Sequence, residues 1–369
     1  MRISLLEKRE NFHKILKDTL ISCHLSTEKS TNYCNYTINK YLNFISAPEL
    51  SNTVFQPLIN EYSSSFIWWK KILQSIYVKI SISKKFRVIL GHSSISLPSD
   101  FKEYLIVGGN HRLRLFSANL SRSIILLKKG ERNGFIKNDI EIRIKNELSY
   151  APIILSHGTD WLEEEYFEGK PLNRLQDKSK IDTYKIEVVE NHLNQLIFKS
   201  IVNLDKNEFE SKIINEIESI ITNPDLRRKK KINKLINRTF ESLFEILNNT
   251  EIKISWTHGD FQQANILVEK DTFKVIDWES ASKRFYLYDI FVLLSEIRTG
   301  IPLDKAIGLF ITQISYNNEI EEVSKNDILL LLIEELRFSI NEDFSENFYK
   351  SGIRTEKLCY LILTYINEK

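Results

Sequence analysis

From Asp182 onward the chain reads as helix, with one island that does not fit: ISWTHGDFQQANILVEKDTFKVIDWESAS, residues 254 to 282. In it a short apolar strand, Ile266 to Val268, opens after Asn265. A second, Phe273 to Ile276, follows the polar turn Glu269-Lys270-Asp271-Thr272. If Val268 pairs with Phe273, antiparallel register sets Asn265 opposite Ile276, within one residue of Asp277 across the hairpin. An amide oxygen and a carboxylate converging on one point suit Mg²⁺ better than Ca²⁺ or Zn²⁺. Mg²⁺ keeps waters and takes one or two protein ligands beside substrate phosphates. Asp260 lies five residues before Asn265 on the loop leading into the strand. It is placed to accept a proton from an attacking hydroxyl without binding the metal.

Composition narrows the classes around this island. Of 369 residues 42% are hydrophobic, and 21 Phe, 15 Tyr and 5 Trp supply core surface, which excludes a disordered chain. A net charge of +2 gives no field for a polyanion, so nucleic acid is not implied. Cys23, Cys34 and Cys359 form no CxxC pair and are odd in number, which fits a reducing cytoplasm. Charges at Glu7, Lys8, Arg9 and Glu10 interrupt any signal-peptide core. The longest apolar run, Ile328 to Ile333, is far short of the ~20 residues that cross a bilayer. Eleven glycines leave few positions for a phosphate loop.

Three regions follow. Residues 1–95 read as an accessory helical region, net basic and without a chemical motif; FIWWKKILQSIYVKI (Phe66 to Ile80) within it reads as a core helix, with a membrane-surface helix as the alternative. Residues 96–168 read as sheet: KEYLIVGG, NHRLRLFS and RSIILLKKG form an antiparallel set, and PIILSHG and DWLEEEYFEG are two more strands. Between the two groups, residues 139–149 read as a short helix with Ile140, Ile144 and Leu148 on one face, ended by Pro152. Residues 169–369 are helical around the island, with a break at Asn223-Pro224.

The spacing His258-x-Asp260-x4-Asn265, followed by a hairpin and Asp277, resembles the catalytic core of the kinase-like fold. THGDFQQANIL with VIDWE is similar to the aminoglycoside phosphotransferase and choline/ethanolamine kinase superfamily, Asp-Trp-Glu standing where protein kinases carry Asp-Phe-Gly. The resemblance implies an α+β, two-lobed protein-kinase-like fold, with a small antiparallel-sheet lobe, a larger helical lobe and the N-terminal helical region as an addition. It implies transfer of the γ-phosphate of ATP to a hydroxyl of a small molecule. Asp260 would orient or deprotonate that hydroxyl, and Asn265 and Asp277 would hold Mg²⁺. Glu279 would be a further acid near the metal, Asp289 would brace the catalytic loop, and His258 would pack it.

Upstream, the resemblance implies a lysine on the third strand of the small lobe, where IILLK ends at Lys128. A helical acid should hold that lysine: Glu141, with Asp139 and Glu147 as rivals. WLEEEYFEGKPL resembles the linker between lobes, where backbone groups of Glu165 and Phe167 would meet adenine. No GxGxxG exists, so Gly108-Gly109-Asn110 is the candidate phosphate turn, against an ordinary hairpin turn. The first 95 residues have no counterpart in the minimal fold.

Two charge clusters stay open. LRRKKKINKLINR (Leu226 to Arg238) is either a solvated helix face or an anionic-surface contact, so basic helices leave peripheral membrane contact open. Glu334, Glu335, Glu342, Asp343 and Glu346 form either an exposed charge cluster or an acidic wall for a cationic acceptor. The rival functions are a pseudokinase-like binding module and an atypical protein kinase. The acceptor is not legible in the sequence.

Overall fold

The computed structural model describes residues 9–22, 32–39, 42–62, 68–87, 93–109, 111–131, 133–221, 230–248, 251–315, 320, 322–344 and 353–367. Two compact units divide the chain: Met1–Gln176 with Ile266–Glu279, and Asp177–Asn265 with Ser280–Lys369.

The first unit opens with helix α1 (Arg9–Ser22), strands β1 (Tyr33–Asn39) and β2 (Phe44–Ser46), helices α2 (Gln56–Tyr62) and α3 (Trp68–Ile82), and strand β3 (Ser93–Pro98). The sequence reading predicts helix alone here. The three strands differ from it because YCNYTIN carries Tyr, Thr and Ile at strand spacing, and β1 has a partner on each side, β2 and β3. Then come β4 (Tyr104–Gly108), β5 (Arg112–Ser117), β6 (Arg122–Leu127), helix α4 (Gly134–Asn146), β7 (Ile154–His157), β8 (Trp161–Glu165) and β9 (Lys170–Pro171). An eight-stranded sheet results, in the order β3-β1-β2-β4-β5-β6-β8-β7, and every pairing is antiparallel. It runs without a break through the boundary expected near residue 95.

Both faces of this sheet are covered, which is why its strands read as nearly continuous apolar runs. Leu105 pairs with Phe116 on one face, packed with Phe44 of β2 and with Phe55, Leu58, Val78 and Ile82 from the α2 and α3 region. Ile106, Leu115 and Ile124 take the other face under Leu16 and Leu20 of α1. The buried Arg87 fastens α3 to the sheet: its guanidinium donates to the Ile82, Ala47 and Leu50 carbonyls and lies 4.4 Å from the Phe55 ring centre. Helix α4 begins five residues before the expected start and stops at Asn146, where Glu147 turns left-handed at φ 49°. Its inner face is Ile136, Asp139, Ile142 and Arg143, while the expected core residue Ile144 is exposed. The apolar spacing misleads there because half of the buried stripe is charged.

The second unit holds α5 (Lys178–His192), β10 (Val202–Asp205), α6 (Lys206–Ile221), α7 (Lys230–Ile246) and β11 (Glu251–Thr257). The chain then crosses back into the first unit for the hairpin of β12 (Ile266–Glu269) and β13 (Thr272–Val275), before β14 (Ser282–Phe285), α8 (Tyr288–Ser295), α9 (Leu303–Ile314), α10 (Lys325–Phe344) and α11 (Ile353–Asn367) return to the second. Val268 faces Phe273 as the sequence predicts, and β12 pairs β9 on its other side. Strand β10, read as helix in the sequence, pairs with β11, and β11 with β14. The apolar run Ile328 to Ile333 is buried on every side within α10. The expected break at Asn223-Pro224 lies outside the described residues.

Candidate active site

In the second unit, β11 delivers the chain into the loop that carries Asp260. Gly259 turns that loop with φ +84°, and a Cβ there would run into the Ser280 carbonyl and the Arg284 guanidinium, so glycine is required. The fully buried Asp289 at the start of α8 fixes the loop backbone. Its carboxylate accepts the His258 N–H at 2.5 Å and the Gly259 N–H at 2.9 Å, with His192 Nε2 at 2.8 Å. Burial opposes the Asp289 charge, but the His192 hydrogen bond and the nearby imidazoles hold its pKa below the usual carboxylate value. His258 is itself buried, accepts the Asp260 N–H on Nδ1 and lies against Phe261.

The Asp260 carboxylate is thus presented by a rigid backbone, and three side chains orient it. Asn265 Nδ2 donates to Oδ2 at 3.0 Å and to the Asp260 carbonyl at 2.9 Å; Gln262 Nε2 donates to Oδ2 at 3.0 Å; the Arg298 guanidinium pairs with Oδ1. Arg298 also donates to the Gly259 carbonyl and pairs with Glu335, and it sits 3.7 Å from the Phe338 ring centre. Burial works against its charge, yet Glu335 and Asp260 keep its pKa raised. No local sequence signal marks Arg298, since its partners lie 38 and 37 residues away.

The C-terminal acids are neither an exposed cluster nor an open wall. Glu334 accepts the Phe285 N–H and pairs with Arg337, Glu335 accepts the Tyr288 hydroxyl, and Asp343 accepts the Thr355 N–H and hydroxyl; all three are buried. Glu346 lies outside the described residues.

In the first unit, charge gathers on Arg112 of β5. Its guanidinium bonds Asp139 of α4 at 2.8 Å, Asp277 at 2.6 Å and Glu279 at 3.0 Å, while its side chain is only 5% exposed. Burial alone would lower its pKa; the three carboxylates more than reverse that and raise it. Asp139 also binds Arg143, and Arg143 binds Glu164, so buried charges alternate from the hairpin to β8. Asp277 takes a left-handed backbone at φ 71° two residues after the end of β13. Beside this cluster opens a cavity of about 330 Å³, where Gly108, Gly109, Arg112, Arg114, Ile276 and Asp277 are among the lining residues.

The expected pair of Lys128 and Glu141 does not form among the described residues. Across the strands Arg112 faces Leu127 and Arg114 faces Ile125, so the cavity side of β6 is apolar and the cation stands on β5 instead. Lys128 falls one residue beyond β6 and donates to the Gly109 carbonyl at 2.6 Å, while Glu141 binds Lys145 on the outer side of α4. Of the rival acids, Glu147 caps the helix and Asp139 is the one that holds a cation. The signal for Arg112 was available in NHRLRLFS: two arginines two apart in a strand share a face.

Gly108 and Gly109 line the cavity, with their N–H groups engaged by the Asn43 and Arg112 carbonyls as in a hairpin turn; a Cβ on Gly109 would sit 2.9 Å from the Arg112 oxygen. Asn110 lies outside the described residues. The Glu165 N–H binds the Ile153 carbonyl within the sheet, and its carboxylate binds Lys274. The Phe167 ring packs against Gly169. Among the described residues no three His, Cys, Asp or Glu side chains gather as an all-protein metal cage. The hard oxygens of Asp277 and Glu279 are the sparse donor chemistry that Mg²⁺ uses together with phosphates.

Residues 223–310, which carry Asp260, Asn265, Asp277 and Asp289, match the model of the phosphotransferase enzyme family. Choline kinase from Cryptosporidium parvum Iowa II superposes with a TM-score of 0.52 at 15% identity, covering 72% of this chain and 89% of its own. The fold is the kinase-like fold of that choline kinase. APH(2")-IIa in its streptomycin–ATP ternary complex is similar too, with a TM-score of 0.50 at 15% identity over 70% of this chain and 90% of that one. No curated protein matches the chain in sequence. The matched segment is that of an enzyme of the phosphotransferase type. Among the described residues no helix is long and apolar enough to cross a membrane.

Proposed function

We propose that the protein is an ATP- and Mg²⁺-dependent phosphotransferase whose acceptor is a hydroxyl of a small molecule. The observation that carries this reading is the Asp260 carboxylate, oriented by Asn265, Gln262 and Arg298 on a loop braced by Asp289. In this reading the acceptor oxygen attacks the γ-phosphorus, the bond from that phosphorus to the β–γ bridging oxygen breaks, and ADP leaves. The hydroxyl proton passes to Asp260. A loose transition state asks little of a base, so a carboxylate held by a guanidinium serves chiefly to aim the hydroxyl. Asn265 and Asp277 are the residues that would hold Mg²⁺, which supplies charge neutralisation on the phosphate oxygens when bound. Arg112 takes the place expected of Lys128 as the cation of the nucleotide cavity, with Asp139 behind it in the place expected of Glu141.

We also read the chain as cytoplasmic, in keeping with the free thiols of Cys34 and Cys359. The acceptor is an amino sugar, a choline-like alcohol, a sugar or a glycan lipid, and a panel of these with a mass-spectrometric readout identifies it. The decisive variant is Asp260→Asn, which keeps the size of the side chain and removes its charge. It should fold and bind Mg·ATP while turnover falls by roughly 10²–10⁴. Retained turnover would remove Asp260 from its role, and ATP binding without any acceptor turnover in the wild type would favour the pseudokinase reading.

A further inference from the structure

Helix α3 is exposed along most of its length. Of its 15 residues, Val78, Ser81 and Ile82 are buried, and they share one side. Trp68, Trp69, Ile72, Leu73, Ile76, Tyr77 and Ile80 carry exposures from 41% to 73%. At 100° per residue these seven occupy about half of the helix circumference, opposite the buried three. A contiguous apolar face of this size on a soluble unit marks a binding surface.

Charge selects the occupant. From Ser63 to Ser99 the sequence has no Asp or Glu, but it has Lys70, Lys71, Lys79, Lys84, Lys85 and Arg87. Arg87 is buried, whereas Lys70, Lys71, Lys79 and Lys84 are exposed, and Lys70 Nζ lies 5.4 Å from the Trp69 ring centre. A second copy packed through this face would set lysines against lysines with no acid on the helix to answer them. Anionic lipid headgroups complement the lysines, and Trp68, Trp69 and Tyr77 are the side chains suited to the boundary between headgroup and acyl chain. A helix of 15 residues is only about 22 Å long, too short to span the ~30 Å hydrocarbon core, so it fits lying in the surface.

We propose that α3 docks the protein peripherally on an anionic lipid bilayer, with its Trp68-to-Ile80 face in the interfacial layer and its lysines on the headgroups. This overturns the sequence preference for a core helix, because the core needs only the C-terminal turn of α3. The test uses the full chain in flotation with vesicles of phosphatidylcholine alone and of phosphatidylcholine mixed with phosphatidylglycerol, alongside tryptophan fluorescence. Binding to the mixed vesicles, a blue shift of emission, weaker binding to the neutral vesicles and loss of binding with added salt are expected. Trp69→Ser with Leu73→Ser, and separately Lys70→Glu with Lys71→Glu, should each weaken binding roughly tenfold or more while circular dichroism and melting stay unchanged. All four positions are solvent-facing. The proposal fails if the wild type stays off both vesicle types, or if both double variants bind as tightly as wild type. It fails equally if sedimentation reveals a concentration-dependent dimer that the Trp69→Ser, Leu73→Ser variant dissolves while no vesicle is bound.

Discussion

Arg112 is the residue on which the buried charge of the first unit converges. A cation is needed where phosphates bind, and a strand end rich in lysine draws attention. The side-chain alternation of β6, however, turns Ile125 toward the cavity, and Lys128 lies past the strand end. In the proposed function Arg112 fills that need, and its planar fork meets three carboxylates at once, which an ammonium does not reproduce. Arg112→Ala should therefore abolish measurable ATP binding and destabilise the fold by roughly 3–5 kcal/mol, since Asp139 loses a buried partner. Lys128→Ala should cause the smaller of the two losses, and calorimetric titration of both with Mg·ATP checks the order. The companion test for Asp277 is metal dependence: Asp277→Ala should leave ATP binding that no longer responds to Mg²⁺. An unchanged Mg²⁺ titration would take Asp277 out of the metal site.

Among the elements, the Asp260 loop is stable because α8 lends it Asp289 and α5 lends His192. A carboxylate whose pKa is depressed in the folded state contributes stability that is fully present above its unfolded value, about pH 4. That contribution is lost as the pH falls through the lower folded value. Asp289→Asn should thus melt well below wild type at pH 7 and show a flatter loss of stability on acidification, with turnover reduced because the Gly259 turn loosens. Melting curves between pH 3 and pH 7 give both slopes.

The same scale shows what the sequence makes legible. Ile266 to Val268 against Phe273 to Ile276 is a local pattern closed by a short polar turn, and its register appears in the structure as the spacing dictates. The strands of residues 104–165 are legible for the same reason, because turn residues bound each apolar run. β1 to β3 and β10 are short or distant in pairing, and what makes them strands is a neighbour that local periodicity cannot name. Helix α4 is misread on the inner side because Asp139 and Arg143 are buried as an ion pair, so polarity there is no guide to exposure. Arg298 is illegible in principle: only the folded chain brings it to Asp260 and Glu335.

For the whole molecule, the chain is cut into discontinuous units, and two of the cuts fall within residues 254–282. The first unit borrows Ile266–Glu279 from far along the sequence. That loan supplies Asp277 and Glu279 to Arg112, the buried Trp278 ring beside Tyr150, the Val275 N–H to the Tyr150 carbonyl, and Lys274 to Glu165 and the Ser149 and Ala151 carbonyls. Residues 1–176 alone would keep Arg112 with Asp139 as its remaining partner in that cluster, and would leave the Tyr150 surface bare. Losing two of three carboxylates around a buried guanidinium costs several kcal/mol, of the same order as the whole stability of a domain, about 5–15 kcal/mol. A fragment of residues 1–176 should therefore show helix and strand by circular dichroism but no cooperative thermal transition. The same fragment with residues 266–279 appended through a flexible Gly/Ser linker should regain one, because the hairpin can reach β9 in the register Val268 to Lys170. Cooperative melting of the short fragment at the temperature of the full chain would mean that the buried charges of Arg112 and Asp139 balance without the hairpin. The hairpin would then serve the chemistry alone.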